Sequence, residues 1–220
     1  VVAHELRTPL ATLTLLVDCL LMALHPPSPT EPGEIVVQKR QLVMLKRQVD
    51  RLTTLVVEML DVSRITGDGL QLSVGPVDLR DVVRQVLDRF DLEIQRRHVT
   101  LTVNAPDPAP GIWDAARIDQ VITNLISNAL KYGAGRPIEV SVRVEASQAV
   151  VVVRDHGIGI PDEEQSKIFG PFAPVLAATH HAGLGLSLWM AQQIVQASGG
   201  GIKVDSRPGQ GSTFTVELPL

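Results

Sequence analysis

The sequence predicts a chain of two domains that belong to different fold classes. The first third carries apolar residues at a spacing typical of paired helices. The rest alternates helical stretches with short β-branched segments, which predicts an α/β sandwich of the α+β type, with one layer of helices on one mainly antiparallel sheet. We therefore expect a helical hairpin over residues 1–66, a linker over residues 67–75 and the sandwich domain over residues 76–220.

Two series of apolar residues predict the helical hairpin. In both, the spacing alternates between three and four residues, which is the repeat of a supercoiled seam. The series are Leu6, Leu10, Leu13, Val17, Leu20 and Leu24, and Leu42, Leu45, Val49, Leu52, Val56 and Met59. Between them, residues 25–33 contain four prolines and break the helix. Because further leucines lie beside the first seam, we expect a second copy of the chain to cover them in a dimeric four-helix bundle.

The elements of the sandwich domain follow from β-branched runs, helix caps and glycine turns. In chain order, the predicted strands cover residues 70–74, 99–103, 138–144, 149–154, 201–205 and 212–218. The predicted helices run from a cap at Asp78 to about residue 97, and over residues 114–131 and 184–197. The strand over residues 149–154 is nearly all valine, which predicts that both of its faces are buried.

Composition excludes several classes of function. The chain has 20 Lys and Arg against 24 Asp and Glu, and only 3% of its residues are aromatic. Nucleic-acid binders need a basic surface or aromatic stacking platforms, so we expect no nucleic-acid partner. The most apolar run, residues 9–24, is too short to span a bilayer, so we expect no direct membrane contact from this chain. The single Cys19 cannot form an internal disulfide, which favours a reducing, cytoplasmic location.

A histidine near the start of the first predicted helix is a candidate nucleophile. His4 and Glu5 precede the seam residue Leu6, and Thr8 lies four residues after His4 on the same helix face. An imidazole nitrogen is nucleophilic when a neighbouring carboxylate controls the proton on the ring. The alternative is a solvated histidine beside a glutamate at a helix start. These residues alone do not decide between the two.

A polar stripe runs along the predicted helix over residues 114–131. Its members fall at positions i, i+4, i+8 and i+11, and they are Gln120, Asn124, Asn128 and Lys131. Asparagine oxygens are hard, neutral ligands suited to a Mg2+ ion that also binds phosphates, and a lysine can contact the same phosphates. Since an ordinary solvated face favours Glu and Lys over paired Asn, the stripe favours a phosphate site.

Glycine motifs complete the candidate nucleotide site. Asp155 follows a predicted buried strand, and Gly157 and Gly159 let the backbone approach a ligand closely, although the same pattern by itself also suits a tight turn. A buried carboxylate can accept a hydrogen bond from the exocyclic amine of adenine and repels the carbonyl of guanine. Residues 183–186 open a helix, whose first amides favour phosphate. Their spacing fits neither a dinucleotide fingerprint nor a P-loop.

Taken in order, these motifs resemble those of the sensor histidine kinases of two-component signalling. Residues 4–10 resemble the H box of that family, 124–132 the N box, 155–159 the G1 box, 168–172 the F box, 183–186 the G2 box and 209–214 the last glycine box. The resemblance implies a hairpin for dimerisation and histidine phosphotransfer, followed by a Bergerat-type ATP-binding domain.

The resemblance also implies a role for each candidate residue. His4 is the implied phosphoacceptor, Glu5 its acid/base partner, and Thr8 would position water for dephosphorylating a receiver domain. Asn128 would hold Mg2+ and Asp155 would read adenine. The other implied nucleotide-binding residues are Asn124, Lys131, Tyr132, Gly157, Gly159, Gly183, Leu184, Gly185, Leu186 and Thr213. With ATP and Mg2+, the implied reaction phosphorylates His4 and then an aspartate of a response regulator.

The segment that corresponds to the ATP lid departs from the family pattern. The stretch between Phe172 and Gly183 is short, and Pro174 stands where an arginine commonly follows the F box. Because a cation at the transition state accelerates phosphoryl transfer by orders of magnitude, we expect slow autophosphorylation. Two alternatives stay open: a dimeric signalling scaffold with a degenerate ATP site, and a partner biased toward phosphatase activity. A gyrase-like ATPase is disfavoured because Asn124 stands where those enzymes place a glutamate base.

Overall fold

The computed structural model describes residues 70–173 and 185–220, and six helical positions, residues 17, 42, 44–46 and 49. The chain divides into two units, and the second unit, residues 64–178 and 185–220, holds nearly all of the described residues. The predicted hairpin over residues 1–66 lies outside the described residues, apart from those six positions, which are helical as predicted. No helix within the described residues combines the length and the apolar character needed to cross a bilayer.

The second unit contains four helices and seven strands among its described residues. In chain order they are β1 (Gly75–Asp78), α1 (Leu79–Arg96), β2 (Leu101–Asn104), β3 (Pro110–Trp113), α2 (Ala115–Tyr132), β4 (Ile138–Glu145), β5 (Gln148–Asp155), α3 (Asp162–Gln165), α4 (Ser187–Ala197), β6 (Gly201–Arg207) and β7 (Gly211–Pro219). Five strands form one sheet in the order β2-β4-β5-β7-β6, in which only β2 and β4 are parallel. Strands β1 and β3 form a separate antiparallel pair.

Alternation along the strands places an apolar face against the helices. On β5 and β7, Val151 pairs with Val216 and Val153 with Phe214, and all four side chains are buried. Helix α2 packs on β5 and lies between α1 and α4. Its buried face consists of Ile118, Val121, Ile122, Leu125, Ile126, Ala129 and Leu130. Full burial of one such side chain stabilises the fold by about 1.5–3 kcal/mol, so this face fixes how α2 is rotated on the sheet.

Two aspartates cap the long helices and also tie distant loops to them. Asp78 accepts a hydrogen bond from the amide of Arg80 in the first turn of α1 and another from the amide of Ala109, both at 3.0 Å. Asp114 accepts from the amide of Arg117 at 3.1 Å and from the amide of Ser73 at 2.8 Å. Each carboxylate therefore satisfies one orphan helix donor and one loop donor.

The predicted strand over residues 70–74 is wrong. The strand instead occupies Gly75–Asp78 and pairs with the strand Pro110–Trp113. This second strand was not predicted, because its proline and glycine are typical of a loop. Two further elements also start later than predicted: the strand predicted at residue 99 begins at Leu101, and the helix predicted at residue 184 begins at Ser187. The short helix α3 was not predicted. The remaining helix and strand bounds agree with the prediction to within two residues.

Replacing the α2 cap should destabilise the second unit. We expect Asp114→Ala to lower the free energy of unfolding by about 1–2 kcal/mol, because both the cap and the Ser73 tie are lost. Urea denaturation followed by circular dichroism measures the change. Asp107→Ala, in the exposed loop before β3, is the matched control. Equal stability of the two variants would contradict the role assigned to the cap.

Candidate functional site

A buried carboxylate stands at the centre of the candidate site. Asp155 is the last residue of β5 and is only 4% exposed. Its Oδ1 accepts a hydrogen bond from the amide of Gly157 at 2.8 Å, and the amide of Ser212 also bonds to the carboxylate. Burial raises the pKa of Asp155 above the ordinary value of 3.8, while the two amides and nearby His156 act in the opposite direction. Because an ionised carboxylate has about four lone-pair positions, these two amides leave it able to accept further hydrogen bonds.

The loop after Asp155 packs against backbone that leaves no room for side chains. A Cβ on Gly157 would lie 2.0 Å from the carbonyl oxygen of Tyr132, the last residue of α2. Gly159 has a φ of +69°, and its Cβ would lie 2.0 Å from the carbonyl oxygen of Arg207. The same Tyr132 carbonyl accepts a hydrogen bond from the amide of Ile158 at 3.2 Å. The structure thus joins the 155–159 loop to the end of α2.

The polar stripe of α2 reaches the start of α4. Asn124 donates a hydrogen bond from Nδ2 to the carbonyl oxygen of Ser187, the first residue of α4, at 3.0 Å. Asn128 is half-buried one turn further along α2. At the end of the helix, the Nζ of Lys131 lies 4.9 Å from the centre of the Tyr132 ring, a cation–π contact. The stripe therefore links the Asp155 loop at one end to α4 at the other.

The first turn of α4 begins at Ser187, after Leu186 at the N-cap position, and within the described residues no side-chain hydrogen bond caps it. The first helical bond runs from the amide of Met190 to the carbonyl of Leu186 at 2.7 Å. The amides before Met190 therefore point out of the helix end, where the helix dipole favours an anion. Gly185 precedes this turn with a φ of +69°.

Several predicted site residues lie outside the described part of the chain. These are His4, Glu5, Thr8, Gly183 and Leu184. The structure brings together Asp155, Gly157 and Tyr132 around one loop, and Asn124 with the start of α4.

The sequence pattern selected Thr213 in the last glycine box, whereas the structure draws attention to its neighbour. Thr213 pairs with the exposed Arg154, on the sheet face opposite that of Asp155. Ser212 is buried and bonds to the Asp155 carboxylate through its amide. The alternation of side chains along the strand could have predicted that Ser212 is buried, because Ser212 stands two residues before the buried Phe214 and so shares its face.

Two contacts at the site were not anticipated from the sequence. The Nη1 of Arg136 donates to the carbonyl oxygens of His156 at 2.8 Å and Gly209 at 3.2 Å, which joins the 155–159 loop to the turn between β6 and β7. The Nε2 of His156 lies 2.7 Å from Oε1 of Glu139. Because Glu139 is exposed between the buried Ile138 and Val140, this pair lies on the sheet face away from the helices.

Two family models match the chain one after the other. The His Kinase A (phospho-acceptor) domain matches residues 1–68. The histidine kinase-, DNA gyrase B- and HSP90-like ATPase model matches residues 113–220. The chain belongs to the histidine kinase family. The predicted fold class, a helical hairpin followed by an α/β sandwich, is thereby confirmed.

Individual histidine kinases match the chain over nearly its whole length. It is 32% identical to the adaptive-response sensory kinase SasA of Synechocystis over 99% of the chain and 57% of that protein. It is 34% identical to the kinase/phosphatase MprB of Mycobacterium avium over 98% of the chain and 41% of that protein. The solved histidine kinase AdeS of Acinetobacter baumannii superposes with a TM-score of 0.76 at 25% identity, covering 98% of this chain and 97% of that one. The chain thus spans about half the length of the relatives SasA and MprB.

Neutralising Asp155 should stabilise the ligand-free fold and abolish nucleotide binding. Because its pKa is raised on folding, the folded protein holds the proton to a higher pH than the unfolded chain. The cost of the carboxylate to the fold therefore begins as the pH rises above 3.8, the pKa in the unfolded chain. It grows until the pH passes the raised pKa of the folded protein and is constant above that pH. At pH 7 we expect Asp155→Asn to raise the Tm by about 2–4 °C.

Thermal denaturation from pH 4 to pH 8 checks this sign, since the gain of Asp155→Asn should grow with pH and then level off. Titration with Mg2+-ATP at pH 7 should show no binding. Asp107→Asn, an exposed aspartate, is the control for both measurements. A lower Tm at pH 7 for Asp155→Asn would mean that the amide hydrogen bonds outweigh the cost of burial.

Proposed function

We propose that this chain is the catalytic region of a sensor kinase that phosphorylates itself on His4 from ATP and then phosphorylates an aspartate of a response regulator. The observation that carries the proposal is the buried carboxylate of Asp155, hydrogen-bonded to backbone amides at the end of the polar stripe of α2. The two consecutive family matches, first phospho-acceptor domain and then ATPase, support the same order of functions.

Asp155 would select adenine over guanine. A desolvated carboxylate accepts a hydrogen bond from the 6-amino group of adenine, and it would be left beside another acceptor if guanine entered with its 6-carbonyl. Burial strengthens this choice, because an unpaired buried acceptor costs more than an exposed one.

The phosphates would lie between α2 and the start of α4. Asn124 holds the first residue of α4 through its hydrogen bond to the Ser187 carbonyl, so the amides of that first turn have a fixed position. Lys131 on the same stripe would bring a positive charge. Phosphoryl transfer depends mainly on such positioning and charge neutralisation.

The residues of the stripe fit a Mg2+ ion shared with the nucleotide. Asn124 uses its amide nitrogen on Ser187, and the half-buried Asn128 stands one turn away on the same face. Asparagine oxygens are hard, neutral ligands, the kind that Mg2+ accepts beside phosphate oxygens. We propose that Asn128 holds the ion, which when bound neutralises charge that develops on the phosphates.

The chemical step would take place at His4. One ring nitrogen attacks the γ-phosphorus, the bond to the β–γ bridging oxygen breaks, and ADP leaves with the electron pair. Glu5 accepts the proton from the other ring nitrogen as the positive charge develops on the imidazole. The phosphoryl group then passes from this labile N–P bond to the carboxylate of a receiver aspartate.

We propose that the hairpin dimerises through its predicted seam. Three apolar seam residues, Val17, Leu42 and Val49, are 42%, 54% and 47% exposed in the single chain. Apolar side chains at heptad spacing are normally covered by partner helices. A second copy of the chain supplies those helices in a four-helix bundle.

Labelling with γ-labelled ATP and Mg2+ tests the kinase proposal. We expect acid-labile, alkali-stable label that is lost in His4→Ala and kept in His98→Asn, a control at an exposed turn with φ of +54° that asparagine tolerates. Residues 173–182 contain no Lys or Arg, so the initial rate should lie well below about 1 s⁻¹. Nucleotide binding without any label would favour the scaffold alternative.

A phosphatase activity is the second candidate function. The relative MprB is named a kinase/phosphatase, and here Glu5 and Thr8 stand on the predicted helix that carries His4. We expect Thr8→Ala to slow the decay of a phosphorylated receiver at least about tenfold, because a positioned water is lost. The receiver to use is the one that takes phosphate fastest from His4. With Thr12→Ala, a substitution one turn further along the predicted helix, the phosphorylated receiver should decay at the rate seen with the parent chain. If the receiver decays equally fast with Thr8→Ala and Thr12→Ala, this candidate function is removed.

A further inference from the structure

Two buried hydroxyl groups face each other beside the Asp155 loop. Ser206 is the next-to-last residue of β6, Ser212 is the second residue of β7, and the two residues pair across the hairpin. They are 4% and 6% exposed, and their Oγ atoms lie 2.9 Å apart. Buried hydroxyls of this kind have hydrogen-bond directions that their partners fix.

The partners of Ser206 determine which hydroxyl donates. The Oγ of Ser206 lies 2.8 Å from the carbonyl oxygen of Gly211, which can only accept, so the single hydroxyl proton of Ser206 goes there. The amide of Ile160 donates to the same Oγ at 2.8 Å. One acceptor position of Ser206 is left, and the Ser212 hydroxyl must fill it as the donor. Every hydrogen-bonding position of Ser206 is then used.

This direction decides what Ser212 offers to a ligand. Its proton points to Ser206, so its oxygen presents only lone pairs on the sheet face of Asp155. Asp155, when ionised, also only accepts. Together the two residues would offer a ligand a subsite of acceptors alone, which suits a ligand edge that carries an amino group.

We propose that Ser206 is a positioning residue for nucleotide specificity: it holds the Ser212 hydroxyl as an acceptor and so makes the subsite select a 6-aminopurine over a 6-oxopurine. This inference rests on the proposed function, because it takes Asp155 as the residue that reads the purine. Ser206 itself needs no contact with the nucleotide.

Removing the Ser206 hydroxyl should change specificity more than affinity. In Ser206→Ala the Ser212 hydroxyl loses its acceptor and is free to turn and donate to the carbonyl of guanine. We expect the ratio of GTP to ATP dissociation constants to fall about tenfold, the size of one buried hydrogen-bond preference. A purely structural loosening of the hairpin would weaken the binding of both nucleotides alike and leave the ratio of their dissociation constants unchanged.

Equilibrium titration of the whole chain with Mg2+-ATP and Mg2+-GTP tests the inference without relying on phosphotransfer. The variants are Ser206→Ala, Ser212→Ala and the double substitution. Ser198→Ala is the matched control, because its hydroxyl also donates to a backbone carbonyl, that of Ile194 at 2.9 Å, at the far end of α4. If Ser206→Ala fails to fold, Ser206→Cys keeps the side-chain size and replaces the oxygen with a weak acceptor.

The double substitution separates the inference from its alternatives. Once Ser212 has no hydroxyl, Ser206→Ala should leave the ratio of the two dissociation constants as it is in Ser212→Ala. An unchanged ratio in Ser206→Ala, or effects of the two substitutions that simply multiply, would overturn the inference while leaving the kinase proposal intact. Failure of the unsubstituted chain to bind either nucleotide would overturn the proposed function and this inference with it.

Discussion

The burial of one carboxylate, that of Asp155, sets the conditions for the rest of the site. Taking a charge out of water is costly, and the amides of Gly157 and Ser212 offset only part of that cost, as the raised pKa indicates. The loop after Asp155 must approach the backbone of Tyr132 closely to supply one of these amides, and only glycine at position 157 allows it. The remaining acceptor positions of the Asp155 carboxylate are available to a ligand that brings a hydrogen-bond donor. Burial of the Asp155 carboxylate is thus the cause both of its affinity for an amino group and of its destabilising effect on the ligand-free fold.

Helix α2 carries this arrangement across the domain. Its apolar face is buried against β5 and between α1 and α4, so its rotation is set by core packing. The polar stripe therefore has one possible position, with Tyr132 at the Asp155 loop and Asn124 at the start of α4. The hydrogen bond from Asn124 ties α4 to the same core. The spacing between the proposed adenine and phosphate ends is in this way a consequence of the hydrophobic packing.

The sequence predicted those parts of the fold whose signal is local. Helix α2, the valine-rich β5 and the β6–β7 hairpin each have a clear period or turn, and each was predicted to within two residues. The β1–β3 pair could not be predicted, because it depends on Trp113, whose Nε1 donates to the carbonyl of Pro219, 106 residues away. At the site, motifs indicated Asp155 and the stripe. Ser206 carried no motif, since its role follows from the direction of hydrogen bonds that only the packed hairpin defines.

The two ends of the proposed site are built differently, and this bears on how the protein would work. At the Asp155 end, Arg136, the Gly209 amide and the Ser206 hydroxyl each bind the 155–160 loop to the β6–β7 hairpin. So many cross-links leave little freedom, which suits the choice between a purine with an amino group at C6 and one with a carbonyl there. At the α4 end, the side-chain hydrogen bond from Asn124 joins α2 to the first turn of the helix, and residues 173–182 contain no Lys or Arg. Charge on the phosphates would then be met by the amides of α4, Lys131 and the metal ion. On the proposed function, such a site would select its nucleotide strictly and transfer phosphate slowly.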